Sequence, residues 1–204
     1  MSDQAQGQYY MPGATTVGVV FDGGVVLAAE KRVTYGSMIM SKTGKKVFKI
    51  TEQVGAACAG LVSDMQNLTR EISAQATLFT LNTKRLMSVK AASKVTANVL
   101  FNRKMSPLYT QTIVGGMDGE VAEIYVLDVL GSLLPDDYAA VGTGATMATG
   151  VLEQGYKEKM TQEEAKALAL KAIKSAVRRD SMSGNGVDVM IITKDGIQEE
   201  TTNF

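Results

Sequence analysis

The chain contains no histidine and one cysteine, Cys58, among its 204 residues. That removes the Ser-His-Asp and Cys-His arrangements of nucleophilic catalysis and histidine-ligated zinc. A hydrolase built from this sequence must move protons with a carboxylate, a lysine, a hydroxyl or an amino terminus. The residues able to do so are of ordinary types, and each has a purely structural reading. Lys45 and Lys46 are adjacent. Strand alternation sends them to opposite faces, so only one can point inward. Glu30 taken alone reads as a surface charge. Asp180 follows Arg178 and Arg179 and reads as their ion-pair partner in the loop after a basic helix end. Gly60 reads as a strand-to-helix turn. Cys58, between Ala57 and Ala59, reads as a small buried residue. A lone cysteine forms no internal disulfide and fits a reducing cytosol.

Composition narrows the rest. Hydrophobic residues make up 45% of the chain, and acidic and basic residues balance at 21 each. The first supports a single domain with a sizeable core. The second gives no reason to expect nucleic acid or an anionic membrane as partner. Met1 to Tyr10 is polar, without the apolar centre of a secretory signal. No apolar run reaches the roughly 18 residues of a membrane span.

The elements that must position these residues come in blocks. Met1 to Pro12, rich in Gln, Gly and Tyr, reads as a loosely held arm. Thr15 to Phe21 and Val25 to Ala29 are apolar runs around Asp22-Gly23-Gly24, a hairpin signal. A second hairpin is expected between Val33 and Ile50, turning near Lys42-Thr43-Gly44, and Val54 to Ala59 forms a further strand ending at Gly60. Leu61 to Lys84 carries apolar residues at Met65, Leu68, Ile72, Ala76 and Phe79, close to helical spacing, with Ser63 as a possible cap. Ser88 to Arg103 predicts a second helix, stopped by Ser106-Pro107. Strands return over Gln111 to Val114 and Ile124 to Val129, broken by Gly115-Gly116 and Asp118-Gly119, and Leu134 to Asp137 reads as a loop. Gly142-Thr143-Gly144 opens a third helix running to Lys157. Thr161 opens a fourth, with Glu164 completing a capping box. Val187 to Thr193 is a core strand, and a short strand follows Lys194-Asp195-Gly196. Strands and helices that alternate in blocks argue for an α+β protein with antiparallel sheets packed against helical layers, and against a doubly wound parallel sheet.

Several separated segments share an order and spacing with one family. They are Gly13-Ala14-Thr15-Thr16-Val17-Gly18, Ala29-Glu30-Lys31-Arg32-Val33-Thr34, Gly44-Lys45-Lys46-Val47-Phe48-Lys49-Ile50, Ala59-Gly60-Leu61-Val62-Ser63-Asp64, and Arg179-Asp180-Ser181-Met182-Ser183-Gly184 followed by Val187-Asp188-Val189. Together they cover nearly the whole chain, which resembles the archaeal-type proteasome β-subunits. The resemblance implies a four-layer αββα sandwich of the N-terminal nucleophile hydrolase type, with two antiparallel sheets between helical layers. It also implies a threonine endopeptidase that cuts itself after the glycine of its Gly-Thr junction and then uses the freed amine for proton transfer. Such chemistry needs no histidine. Residues 1–13 would be the propeptide and 14–204 the domain.

The resemblance also implies roles. Ala14 occupies the nucleophile position, where the family carries threonine. Lys46 matches the lysine beside the nucleophile, and Glu30 its acidic partner. Gly60 matches the glycine whose N–H helps hold the oxyanion. Asp180 and Ser183 match the pair that orients the catalytic terminus, and Thr143 sits where the family often has serine. Thr34 would bind extended peptide backbone, and Val33, Gly44, Phe48, Cys58 and Val62 would line an apolar specificity pocket. Expected partners are further copies in heptameric β-rings, α-subunit rings, and unfolded polypeptide delivered by an ATPase regulator, all in the cytoplasm. No metal or cofactor is expected. Alanine has no hydroxyl, so Ala14 can attack neither a peptide nor its own preceding bond. Thr15 is no substitute, because its side chain alternates to the other strand face and its nitrogen stays in an amide. The expectation is a precursor form left unprocessed by a threonine-to-alanine substitution. A naturally inactive ring subunit is the alternative.

Overall fold

A computed structural model describes residues 13–203. The expected arm Met1 to Pro12 lies outside the described residues. In chain order the strands are β1 (Thr15–Phe21), β2 (Gly24–Glu30), β3 (Val33–Tyr35), β4 (Met38–Ser41), β5 (Val47–Lys49), β6 (Val54–Gly60), β7 (Thr110–Asp118), β8 (Val121–Leu127), β9 (Leu134–Asp136), β10 (Tyr138–Gly142), β11 (Val187–Thr193) and β12 (Gly196–Thr202). The helices are α1 (Val62–Thr83), α2 (Val89–Asn102), α3 (Ala145–Gly155) and α4 (Gln162–Val177).

Two five-stranded antiparallel sheets result, ordered β10-β1-β2-β11-β12 and β5-β6-β7-β8-β9, with β3-β4 a separate hairpin. The inner strands of the first sheet are apolar on both faces because both faces are covered. From β1 and β2, Val17, Val19, Phe21, Val26 and Ala28 pack toward α3 and α4. Val25, Leu27 and Ala29 point the other way, into a core shared with Ile113, Met117 and Ile124 of the second sheet. The outer face of the second sheet carries α1 and α2 through Met65, Leu68, Ile72, Val89 and Leu100. The layers are therefore α1/α2, sheet, sheet, α3/α4, which is the expected αββα sandwich.

The helix starts are chemically legible. Thr161 accepts from Glu164 N while Glu164 reaches back to Thr161 N, the expected capping box. Ser88 caps α2 by accepting from Ala91 N. Ser63 does not cap α1. Leu61 holds that position without a side-chain bond, and Ser63 lies inside the helix.

Four strand expectations need correction. The β3-β4 hairpin turns at Gly36, φ +57°, ahead of Lys42-Thr43-Gly44, which leads instead into β5. Gly115-Gly116 does not interrupt β7. A Cβ at Gly115 would meet Val25 and Ile124 at about 3 Å, and one at Gly116 would meet Gln53 O at 2.0 Å. These glycines permit close packing within a continuous strand. Leu134–Asp136 is an edge strand, where Pro135 removes a donor the sheet does not need. Tyr138–Gly142, which carries no strand in the sequence reading, pairs with β1. Its centre, Ala-Ala-Val, has little β signal of its own, and pairing with β1 supplies the order.

Candidate active site

The first sheet ends β1 and β2 side by side, so Ala14 and Glu30 leave the same edge. Glu30 is fully buried and surrounded by donors. Its Oε1 accepts from Lys46 Nζ and from Thr15 N at 3.4 Å, and its Oε2 from Arg32 N at 2.7 Å and Gly184 N at 3.0 Å. Lys46 is 1% exposed and enters from the residue before β5, in the other sheet. Burial pushes the Glu30 carboxyl above its ordinary range and the Lys46 amine below its own, and each charge partly offsets the other's desolvation. An amine depressed in this way releases its proton more readily than a solvated lysine.

A second polar group closes on the same place. Asp180 Oδ2 accepts from Thr143 Oγ1 at 2.6 Å and from Ser183 Oγ at 2.7 Å, while Oδ1 accepts from Met182 N at 3.1 Å. Thr143 Oγ1 lies 3.3 Å from both Ala14 N and Ala14 O. Thr143 gets there because Gly142 has φ +100° and a Cβ on it would meet Ala14 O at 2.0 Å. A side chain at 142 would push the two segments apart. Ala14 itself is completely buried, with only a methyl group to present.

The residues marked in the sequence are thus brought together from distant segments: Ala14, Glu30, Lys46, Thr143, Asp180 and Ser183. Asp180 makes no ion pair with Arg178 or Arg179 among the described residues. Lys45 turns outward to Glu199 while Lys46 turns inward. Gly60 ends β6 at φ +144° and borders a cavity of about 270 Å³ shared with Gly13, Lys46, Val33, Thr34 and Val62. Gly44 lies behind Val33, donating its N–H to Lys31 O. Phe48 and Cys58 do not line the cavity; they pack in the core beneath α1 and α2. Cys58 is fully buried, as its neighbours suggested, and burial pushes its thiol up to about 12. Among the described residues no cluster of acidic or cysteine side chains could hold a metal.

Three contributors carry no sequence signal of their role. Arg32 and Gly184 act through backbone N–H groups, which every non-proline residue has. Thr15 reads only as a poor replacement nucleophile, yet its N–H reaches Glu30 and its hydroxyl lies 2.7 Å from Ser183 Oγ.

A buried lysine–carboxylate pair and a hydroxyl–carboxylate group meeting at the head of β1, in an αββα sandwich, define a class of hydrolase fold. The comparisons make it specific. The chain matches the family described as proteasome subunit over residues 11–192. It is 53% identical to proteasome subunit beta 1 of Nitrosopumilus maritimus over 192 residues, covering 94% of this chain and 96% of that one. It is 51% identical to proteasome subunit beta 1 of Cenarchaeum symbiosum over 189 residues, 93% and 97% of the two chains. It is 47% identical to proteasome subunit beta 2 of Caldivirga maquilingensis over 201 residues, 98% of each. The chain belongs to the proteasome β-subunit family, a family of threonine proteases whose members assemble with α and β subunits into a core particle.

Proposed function

We propose that this chain is a catalytic-type β-subunit held as an inactive precursor, because alanine stands at the nucleophile position. The observation that carries this reading is the convergence on Ala14. Thr143 touches its nitrogen and its oxygen, Asp180 holds Thr143, and the Glu30–Lys46 pair bonds the next amide. Polar groups of this kind are costly to bury, and here they surround a residue with no reactive atom.

With threonine at position 14 the parts acquire roles. The hydroxyl attacks a peptide carbonyl, and Lys46 favours its alkoxide by charge attraction. Glu30 holds Lys46 in place. The Gly60 N–H helps hold the oxyanion. Thr143, Asp180 and Ser183 orient the amine freed when the bond after Gly13 is cut. Thr34 binds extended peptide backbone, and Val33 and Val62 favour cleavage after apolar residues. Gly44 supports that pocket from behind, against Val33. The substrate is unfolded polypeptide delivered by an ATPase regulator to a chamber of heptameric β-rings between α-rings, in the cytoplasm. Residues 1–13 are the propeptide.

The test is Ala14→Thr, expressed with α-subunit, followed by intact mass and fluorogenic peptides. A chain beginning at position 14 is expected, with peptidase activity up by at least about 10³-fold and preference for apolar residues before the cut. Failure of both processing and activity to return would instead support a structural ring subunit.

A further inference from the structure

We propose that Thr15 is a positioning residue whose hydroxyl fixes the Ser183–Asp180–Thr143 group against the head of β1. A hydroxyl has one proton to give. Ser183 Oγ gives its proton to the Asp180 carboxylate at 2.7 Å. In the 2.7 Å contact between Thr15 Oγ1 and Ser183 Oγ, Thr15 is therefore the donor. Both residues are fully buried, so water does not compete for either group.

The bonds then form a closed circuit. Residue 14 is held through Thr143, Thr143 through Asp180, Asp180 through Ser183, and Ser183 through Thr15, which is covalently joined to residue 14. The circuit is tightly packed. A Cβ on Gly144, next to Thr143, would meet Thr15 Oγ1 at 2.1 Å. Donation by Thr15 also polarises Ser183 and strengthens its bond to Asp180. The side chain that cannot serve as nucleophile thus acts from the opposite face of the strand, through three partners, on the position that can.

The proposal rests on the function proposed above, and the test separates the two. In the Ala14→Thr form, Thr15→Val keeps shape and removes the donor. Peptide hydrolysis is expected to lose about 10-fold in kcat with KM changed less than about 2-fold, and Thr15→Ser is expected to regain most of the loss. Equal kcat in the Val and parent forms would overturn the proposal, as would a Ser variant no better than Val. If Ala14→Thr alone shows no activity, the functional reading has failed, and the positioning claim is decided on the present chain. Crystal structures of it with Thr15 and with Thr15→Val should differ in the Ser183 rotamer and the Thr143–Asp180 contact. An unchanged Ser183 and Thr143–Asp180 distance would overturn it.

Discussion

Two pairs of adjacent residues, Glu30-Lys31 and Lys45-Lys46, each send one charge inward and one outward. The inward pair, Glu30 and Lys46, is 0% and 1% exposed at the side chain, and its carboxylate takes four donors. The outward residues make separate pairs. Lys31 meets Asp188 at 2.8 Å with side chains 13% and 16% exposed, and Lys45 meets Glu199 at 2.7 Å with 53% and 44%. Residue types and sequence positions hardly differ. The direction each side chain takes where the backbone leaves β2 or enters β5 decides which member joins the buried pair, and burial decides what the pair does. An exposed pair such as Lys45–Glu199 is screened and contributes little. A buried pair costs desolvation and survives only when fully bonded, which leaves both groups with shifted proton affinities.

Removing Lys46 should break this contrast most strongly. Lys46→Met leaves Glu30 buried without its cation, and is expected to cost about 3–5 kcal/mol near neutral pH. The loss of Lys46 raises the Glu30 pKa further above its ordinary 4.5. A carboxyl raised in the folded state contributes its stability below its unfolded pKa and loses it as pH rises through the folded value. Urea denaturation should therefore find the variant more stable at about pH 5 than at about pH 8. Equal stability at the two pH values would mean that Glu30 is not held as the structure shows.

Glu30→Gln sharpens the contrast with a smaller change. Glutamine keeps one acceptor oxygen and places an NH₂ where the carboxylate accepted from backbone N–H groups. The expected loss is about 2–3 kcal/mol by the same measurement, together with peptidase loss in the Ala14→Thr form. At the outer edge, Lys45→Ala should cost less than about 0.5 kcal/mol, and even that should vanish at high salt. A large effect there would erase the distinction between the two lysines.

Much of the fold is readable along the chain. The α1 stripe Met65, Leu68, Ile72 and Ala76 and the capping box at Thr161 follow from local physics and appear as expected, while Phe79, at the far end of the same stripe, is exposed. Two of the strand differences share one cause, contacts with distant segments. Gly115-Gly116 reads as a break because glycine is flexible, but the sheets need its missing side chain. Tyr138–Gly142 reads as nothing in particular because β1, far away in sequence, supplies its order. The site was legible as residue types in family motifs, and its geometry was not. Nothing local tells that Gly184 N would bond Glu30, since any residue has that donor.

The absence of histidine and the alanine at position 14 are matters of sequence alone. They limit the chemistry to hydroxyl, amine, lysine and carboxylate, and they leave position 14 with only a methyl group. The tertiary structure decided which of two neighbouring lysines is buried, and that Asp180 serves Thr143 and Ser183 in place of its neighbouring arginines. It also decided that Thr15 reaches the same group from behind. Those outcomes depend on contacts between separate segments: Lys46 with Glu30, Thr143 with Asp180, and Thr15 with Ser183 across 168 positions. Burial and hydrogen bonding are settled by such contacts, and local sequence does not contain them.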